Sequence, residues 1–207
     1  LMSDLEPLLQ NSRTAMVSVM DHTPGQRQFA SLEAYYTYYQ GKFGYTDAEM
    51  EAYMADRKRE HELHAAPNRK QVVEQARDRK LAIASHDDAT RDHVEEAIAD
   101  GILVAEFPTT IEAARASHEA GLAVLMGAPN VVRGGSHKGN ASAVDLIAMG
   151  LADALASDYH YPSPRRAALM LARSGVLPLE QAWALVSSGP AKVLGLEDRG
   201  RLVPGQR

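Results

Sequence analysis

Three short apolar runs each end on residues able to bind a metal ion: Val17-Ser18-Val19-Met20-Asp21-His22, Leu81-Ala82-Ile83-Ala84-Ser85-His86-Asp87-Asp88 and Ala152-Asp153-Ala154-Leu155-Ala156-Ser157-Asp158. Apolar runs of this length read as buried parallel strands, and α/β folds gather their chemistry at the carboxyl ends of such strands. His22, His86 and Asp158 would therefore share one face of one sheet. Two imidazoles and a carboxylate suit a divalent cation, and the carboxylate can also take a proton from an attacking water. Plainer readings stand beside this one. A strand-end histidine can be a hydrogen-bonded packing residue, and Asp87 or Asp88 can cap the next helix.

A second group lies in Gly127-Ala128-Pro129-Asn130-Val131-Val132-Arg133-Gly134-Gly135-Ser136-His137-Lys138-Gly139-Asn140. Gly134 and Gly135 let the backbone approach a ligand, while Arg133, His137 and Lys138 are cationic donors, which together suit phosphate. The Walker A spacing is absent, and a glycine-rich turn with solvated basic residues is the alternative. Arg27, in the loop after the first strand, is a further phosphate donor of the same kind.

These groups need a scaffold that aligns strand ends. Strands are expected at 14–21, 81–86, 102–107, 122–127 and 152–158, with helices near 31–40, 46–64, 68–79, 89–99, 110–120, 140–149, 164–174 and 178–187. Such alternation predicts consecutive βα units and a parallel sheet. Thr46-Asp47-Ala48-Glu49 has capping-box spacing, and Gly101 and Gly121 fall where helices should stop. The strand-free stretch 28–80 holds Tyr35, Tyr36, Tyr38 and Tyr39, expected to pack between helices, with a lid as the second reading. His61 and His64 sit in a charge run expected to be a solvated helix face.

Composition sets limits. The chain has no cysteine, so disulfides, thiolate zinc sites and a cysteine nucleophile are excluded, leaving histidine and carboxylate as the strong ligands. A net charge of −5 without an Arg/Lys block argues against a general nucleic-acid surface. No apolar run reaches membrane-span length, and Leu1-Met2-Ser3-Asp4 does not open a secretory signal, so a cytoplasmic enzyme is expected.

Met20-Asp21-His22-Thr23-Pro24-Gly25-Gln26-Arg27-Gln28-Phe29, Ala84-Ser85-His86-Asp87-Asp88-Ala89-Thr90, Ala105-Glu106-Phe107-Pro108-Thr109-Thr110, the 127–140 segment and Ser157-Asp158-Tyr159 closely resemble the PhnM family of phosphonate metabolism, a branch of the amidohydrolase superfamily. The resemblance runs in order through essentially the whole chain. It implies an α/β fold, a metal-dependent (β/α)₈ barrel, that converts α-D-ribose 1-methylphosphonate 5-triphosphate to the 5-phosphate and releases diphosphate. By motif, His22 and His86 would be ligands of a metal pair, zinc first with manganese or iron as alternatives. Asp158 would bind metal and handle the water's proton, while Arg27, Arg133, Gly134, Gly135, His137 and Lys138 would lie near the phosphorylated substrate. Association with other proteins of the carbon–phosphorus lyase pathway is also implied.

The superfamily opens with a strand ending in His-x-His, or His-x-Asp in this branch, and that strand is expected to be missing. The chain then reads as the last five βα units of the barrel (1–199), with a helical insertion at 28–80 and the start of a C-terminal β-segment at 200–207. Exposed sheet edges would favour self-association. Two other functions stay open: hydrolysis of a C–N bond in an amide or cyclic amide, since fold and metal do not fix the scissile bond, and a catalytically silent scaffold module.

Overall fold

The computed structural model describes residues 2–29, 31–136 and 139–206. Its elements are α1 (Met2–Leu9), β1 (Met16–Val19), α2 (Leu32–Phe43), α3 (Asp47–Asp78), β2 (Ala82–His86), α4 (Arg91–Ala99), β3 (Val104–Glu106), α5 (Ile111–Glu119), β4 (Ala123–Gly127), α6 (Ala128–Arg133), α7 (Ala143–Ala148), β5 (Ala154–Ala156), α8 (Ser163–Arg173), α9 (Leu179–Ala184) and α10 (Ser188–Val193).

All strand pairs are parallel, and the order is β1-β2-β3-β4-β5. A doubly wound sheet reverses its order at a switch point, whereas consecutive order describes an arc of a (β/α)₈ barrel. The two faces follow from strand alternation. Ile83, Ala105, Val124, Met126 and Leu155 face the helices and join the main core with Leu146, Ala168 and Leu171. Ala84, Val104, Leu125 and Ala154 form a smaller cluster on the opposite, inner face. Continuing that alternation to the carboxyl ends places Ser18, His86, Glu106 and Gly127 on the inner face.

Every expected strand is present, shortened at its ends. The helices differ more. The two helices expected near 46–64 and 68–79 form the single 32-residue α3, with Pro67 inside it. Its start is the expected capping box, Thr46 accepting from the Glu49 backbone and Glu49 bonding back. Gly101 and Gly121, at φ 61° and 81°, follow the caps of α4 and α5 in the left-handed conformation that glycine adopts without a Cβ clash. The expected 140–149 helix starts only at Ala143, and α1, α6 and α10 were not anticipated. Each of these three spans eight residues or fewer, too short to establish a helical period. Residues 200–206 form bends and turns without a strand.

Tyr35 and Tyr39 pack between the helices as expected, whereas Tyr36 donates to the exposed Asp47 and Tyr38 is 39 % exposed. Tyr35 is 2 % exposed, and Phe29, Tyr38, Tyr39, Phe43, Tyr45 and Tyr53 continue the cluster that joins α2 to α3. His64 is exposed, but His61 is not simply a solvated residue: its Nδ1 lies 2.8 Å from the Asp21 carboxylate, tying α3 to the end of β1. Burial works against the charge of Asp21, yet its bonds from Thr23 and His61 hold the carboxyl below its ordinary pKa. No helix among the described residues is long and apolar enough to cross a membrane.

Candidate metal centre at the strand ends

The inner face opens into a cavity of about 510 Å³ lined by His22, His86, Asp87, Asp158, Arg133 and Tyr38, among others. The group of candidate metal ligands in it is small. One ligand atom each from His22, His86 and Asp87 lies within 4.8 Å of the other two. Asp87 Oδ2 is 3.3 Å from His22 Nε2 and 3.6 Å from His86 Nε2. Ligands about 2.0–2.1 Å from a tetrahedral zinc stand about 3.3 Å from one another, so these separations fit a cation between them. The imidazole–carboxylate donor set fits as well.

Local backbone geometry presents these groups. Asp87, Phe107 and Asp158, just beyond β2, β3 and β5, have φ of 57°, 56° and 50°. Left-handed backbone at a non-glycine residue is uncommon, and such residues concentrate where surrounding structure holds a site in place. The turn at Asp87 brings its side chain, 11 % exposed, against both imidazoles.

His86 is held from behind. Its Nδ1 lies 2.8 Å from Glu106, which also accepts from the Ser18 hydroxyl, and its ring meets Phe107 edge-on at 5.5 Å. Burial pushes its pKa down, but the Glu106 hydrogen bond and the charges of Asp87, Glu106 and Asp158 outweigh that and leave it raised. The Gln28 amide, 8 % exposed, stands 3.0 Å from Nε2 of His22.

The sequence-derived residues separate into groups. His22 and His86 come together. Asp158 lines the same cavity and its charge reaches His86, but the carboxylate packed between the imidazoles is Asp87. The cause is topological: Asp87 follows β2, the neighbour of β1, whereas Asp158 follows β5 at the far end of the arc. The helix-cap reading of Asp87 and Asp88 is corrected, because Thr90 caps α4. His86-Asp87-Asp88 also has His-x-Asp spacing, yet Asp88 turns to Ser85 and Arg27 instead.

Arg27 stands apart from the phosphate group. Its guanidinium is 2.5 Å from Asp88 and also pairs with Glu96, with the side chain 9 % exposed. The glycine-rich segment is part helix: α6 occupies 128–133, and Gly134 and Gly135 turn the chain away at φ 80° and 145°. Asn130 pins that turn, its side chain donating to Ala141 and accepting from the Ala143 backbone. Arg133 lines the cavity with its guanidinium 5.7 Å from the Tyr159 ring. His137 and Lys138 lie outside the described residues. Sequence reasoning missed Glu106, Ser18 and Gln28 as members of the site. Strand alternation was the available signal for Glu106, which pairs in register with His86.

No family model matches the chain. Two solved structures share its fold. An uncharacterized metal-dependent hydrolase from Pyrococcus furiosus superposes with a TM-score of 0.51 at 17 % identity, covering 66 % of this chain and 34 % of that one. An uncharacterized metal-dependent hydrolase from Pyrococcus horikoshii OT3 gives 0.50 at 15 % identity, covering 67 % and 35 %. The alpha-D-ribose 1-methylphosphonate 5-triphosphate diphosphatase of Escherichia coli K12 is 49 % identical over 204 residues, covering 98 % of this chain and 54 % of that protein. The chain thus spans about half the length of this curated relative and is its homologue throughout that span.

Proposed function

We propose that the chain forms the metal-binding strand ends of a hydrolase that cleaves α-D-ribose 1-methylphosphonate 5-triphosphate to the 5-phosphate and diphosphate. The observation carrying this reading is the 49 % identity over 204 residues to a protein of that activity. The cavity chemistry supports it. His22, His86 and Asp87 would hold a divalent cation, zinc by donor type with manganese or iron as alternatives. Bound there, the cation would polarise a phosphoryl oxygen and ease deprotonation of water.

This chain's residues supply the rest. Water adds to the α-phosphorus and the bond to the α,β-bridging oxygen breaks, so negative charge grows on the departing diphosphate. Arg133, on the cavity wall, is the described cation placed to meet that charge, with the Gly134-Gly135 turn beside it and His137 and Lys138 following in sequence. Asp158, exposed in the same cavity, accepts the water's proton on its carboxylate. Arg27, committed to Asp88 and Glu96, supports the loop that carries His22 rather than contacting phosphate.

Among the described residues β1 and β5 each pair on one side only, and Leu179, Trp183 and Leu202 are exposed. Association with further chain or a second copy would cover these surfaces, and a monomer at micromolar concentration by light scattering counts against a second copy.

The test of the activity is diphosphate release from the ribosyl triphosphate by the purified protein with zinc or manganese, beside a panel of N-acyl and cyclic amides. Turnover of the amides without diphosphate release overturns the reading. If neither reacts, a chimera carrying this chain in the aligned segment of the Escherichia coli relative decides: a folded, metal-loaded but inactive chimera supports a silent module.

A further inference from the structure

Glu106 is half-buried on the inner face and does not line the cavity, yet it is the residue most firmly joined to His86. Three neighbouring strands converge there. Glu106 on β3 pairs in register with His86 on β2, and Ser18 on β1 projects onto the same face one step down. The Ser18 hydroxyl donates to Glu106 Oε2, the same oxygen that stands 2.8 Å from His86 Nδ1. Ser18 Oγ is itself 3.2 Å from Nδ1. A carboxylate can only accept, so the proton in the His86–Glu106 bond sits on Nδ1. In the neutral ring that leaves the Nε2 lone pair directed at the Asp87 side, where a cation would sit.

We infer that Glu106 is a positioning residue: with Ser18 it fixes the tautomer and orientation of His86 so that Nε2 faces the His22–Asp87 pair. The inference rests on the reading of His22, His86 and Asp87 as the metal-holding group. Carboxylates in this outer position typically raise metal affinity about 10–100-fold. Glu106 does not bind the metal in this arrangement, which makes the assignment testable.

The experiment compares the wild type with Glu106→Ala, Glu106→Gln and Ser18→Ala. Zinc affinity is measured by chelator competition, zinc stoichiometry by elemental analysis, and the His86 tautomer in metal-free protein by long-range nitrogen–proton NMR at a pH where the ring is neutral. Glu106→Ala should weaken zinc about 10–100-fold at unchanged stoichiometry and lose the Nδ1–H tautomer. Glu106→Gln retains an acceptor for Nδ1–H and should restore the tautomer and most of the affinity; Ser18→Ala should have a smaller effect in the same direction. Wild-type affinity and tautomer in Glu106→Ala overturn the positioning role. Loss of a metal equivalent in that variant also overturns it, by making Glu106 a ligand. A wild type that binds no zinc refutes the metal reading itself, and the positioning role falls with it. If Glu106→Ala fails to fold, the glutamine and serine variants decide: an Nε2–H tautomer in Glu106→Gln, or a wild-type affinity and tautomer in Ser18→Ala, refutes the inference.

Discussion

Replacing Arg27 by Met distinguishes a buried clamp from a phosphate-binding side chain. Arg27 pairs with Asp88, whose side chain is 1 % exposed, and with Glu96, which keeps Arg69 as a partner at 3.5 Å. Asp88 also accepts from Ser85, but burial dominates and already holds its carboxyl above the ordinary range despite Arg27. Removing one partner of a buried ion pair costs roughly 3–5 kcal/mol. Protonation of Asp88 limits that loss. Keeping a carboxyl of unfolded pKa about 3.9 neutral costs at most about 4 kcal/mol at pH 7 and about 1.5 kcal/mol at pH 5. In the variant the folded state binds the extra proton, so the deficit grows as pH rises. Urea unfolding of Arg27→Met should therefore show a loss of about 3–4 kcal/mol at pH 7, or roughly 6–16 °C in Tm, shrinking to about 1.5 kcal/mol or less at pH 5. Adding Asp88→Asn should recover part of the loss at pH 7. A deficit below about 1 kcal/mol that is the same at both pH values refutes the clamp, all the more if substrate KM rises instead.

The remaining expectations address the metal centre and the long helix. Asp87→Asn should weaken zinc by more than the roughly 10–100-fold typical of an outer residue, whereas Asp158→Asn should retain metal and lower kcat about 10²–10⁴-fold; the opposite pattern would exchange their roles. Because Glu106 and neighbouring charges outweigh burial at His86, protonated His86 contributes stability below its unfolded pKa of about 6.5, and that contribution disappears as pH rises through the raised folded value. Metal binding needs the neutral ring and runs the other way, so zinc affinity should be higher at roughly pH 8 than at pH 6, and equal affinities contradict His86 as a ligand. Pro67→Ala should raise unfolding stability by about 1–2 kcal/mol, since proline costs a helix interior about 3 kcal/mol and returns up to about 1 through the unfolded chain; a lower midpoint would show that Pro67 makes a packing contact of its own.

The parts of the fold that a local pattern can encode were legible in the chain. Each strand is a short apolar run, half-buried in β1 and buried through most of its length in β2 to β5, with the chemistry-bearing residue at or just beyond its end. That was sufficient to place His22 and His86 on one face. It could not choose which carboxylate stands beside the two imidazoles, because Asp87 and Asp158 both follow strands, and their distances from His22 depend on strand order in three dimensions. Arg27 shows the same limit from the other side. An arginine in a strand-end loop has the chemistry of a phosphate ligand, and only the fold reveals that Asp88 and Glu96, 61 and 69 residues away in sequence, already engage both of its terminal nitrogens. The gap expected between the helices near 46–64 and 68–79 holds Pro67, whose local penalty is about 3 kcal/mol, yet packing of Val72, Val73 and Ala76 on one side and Met50 on the other carries α3 through it. Glu106 is the instructive omission. Its position two residues beyond Val104 on an inward-facing strand was readable by alternation, but its role depends on meeting Ser18 and His86, a convergence that requires the register of three parallel strands to be known at once.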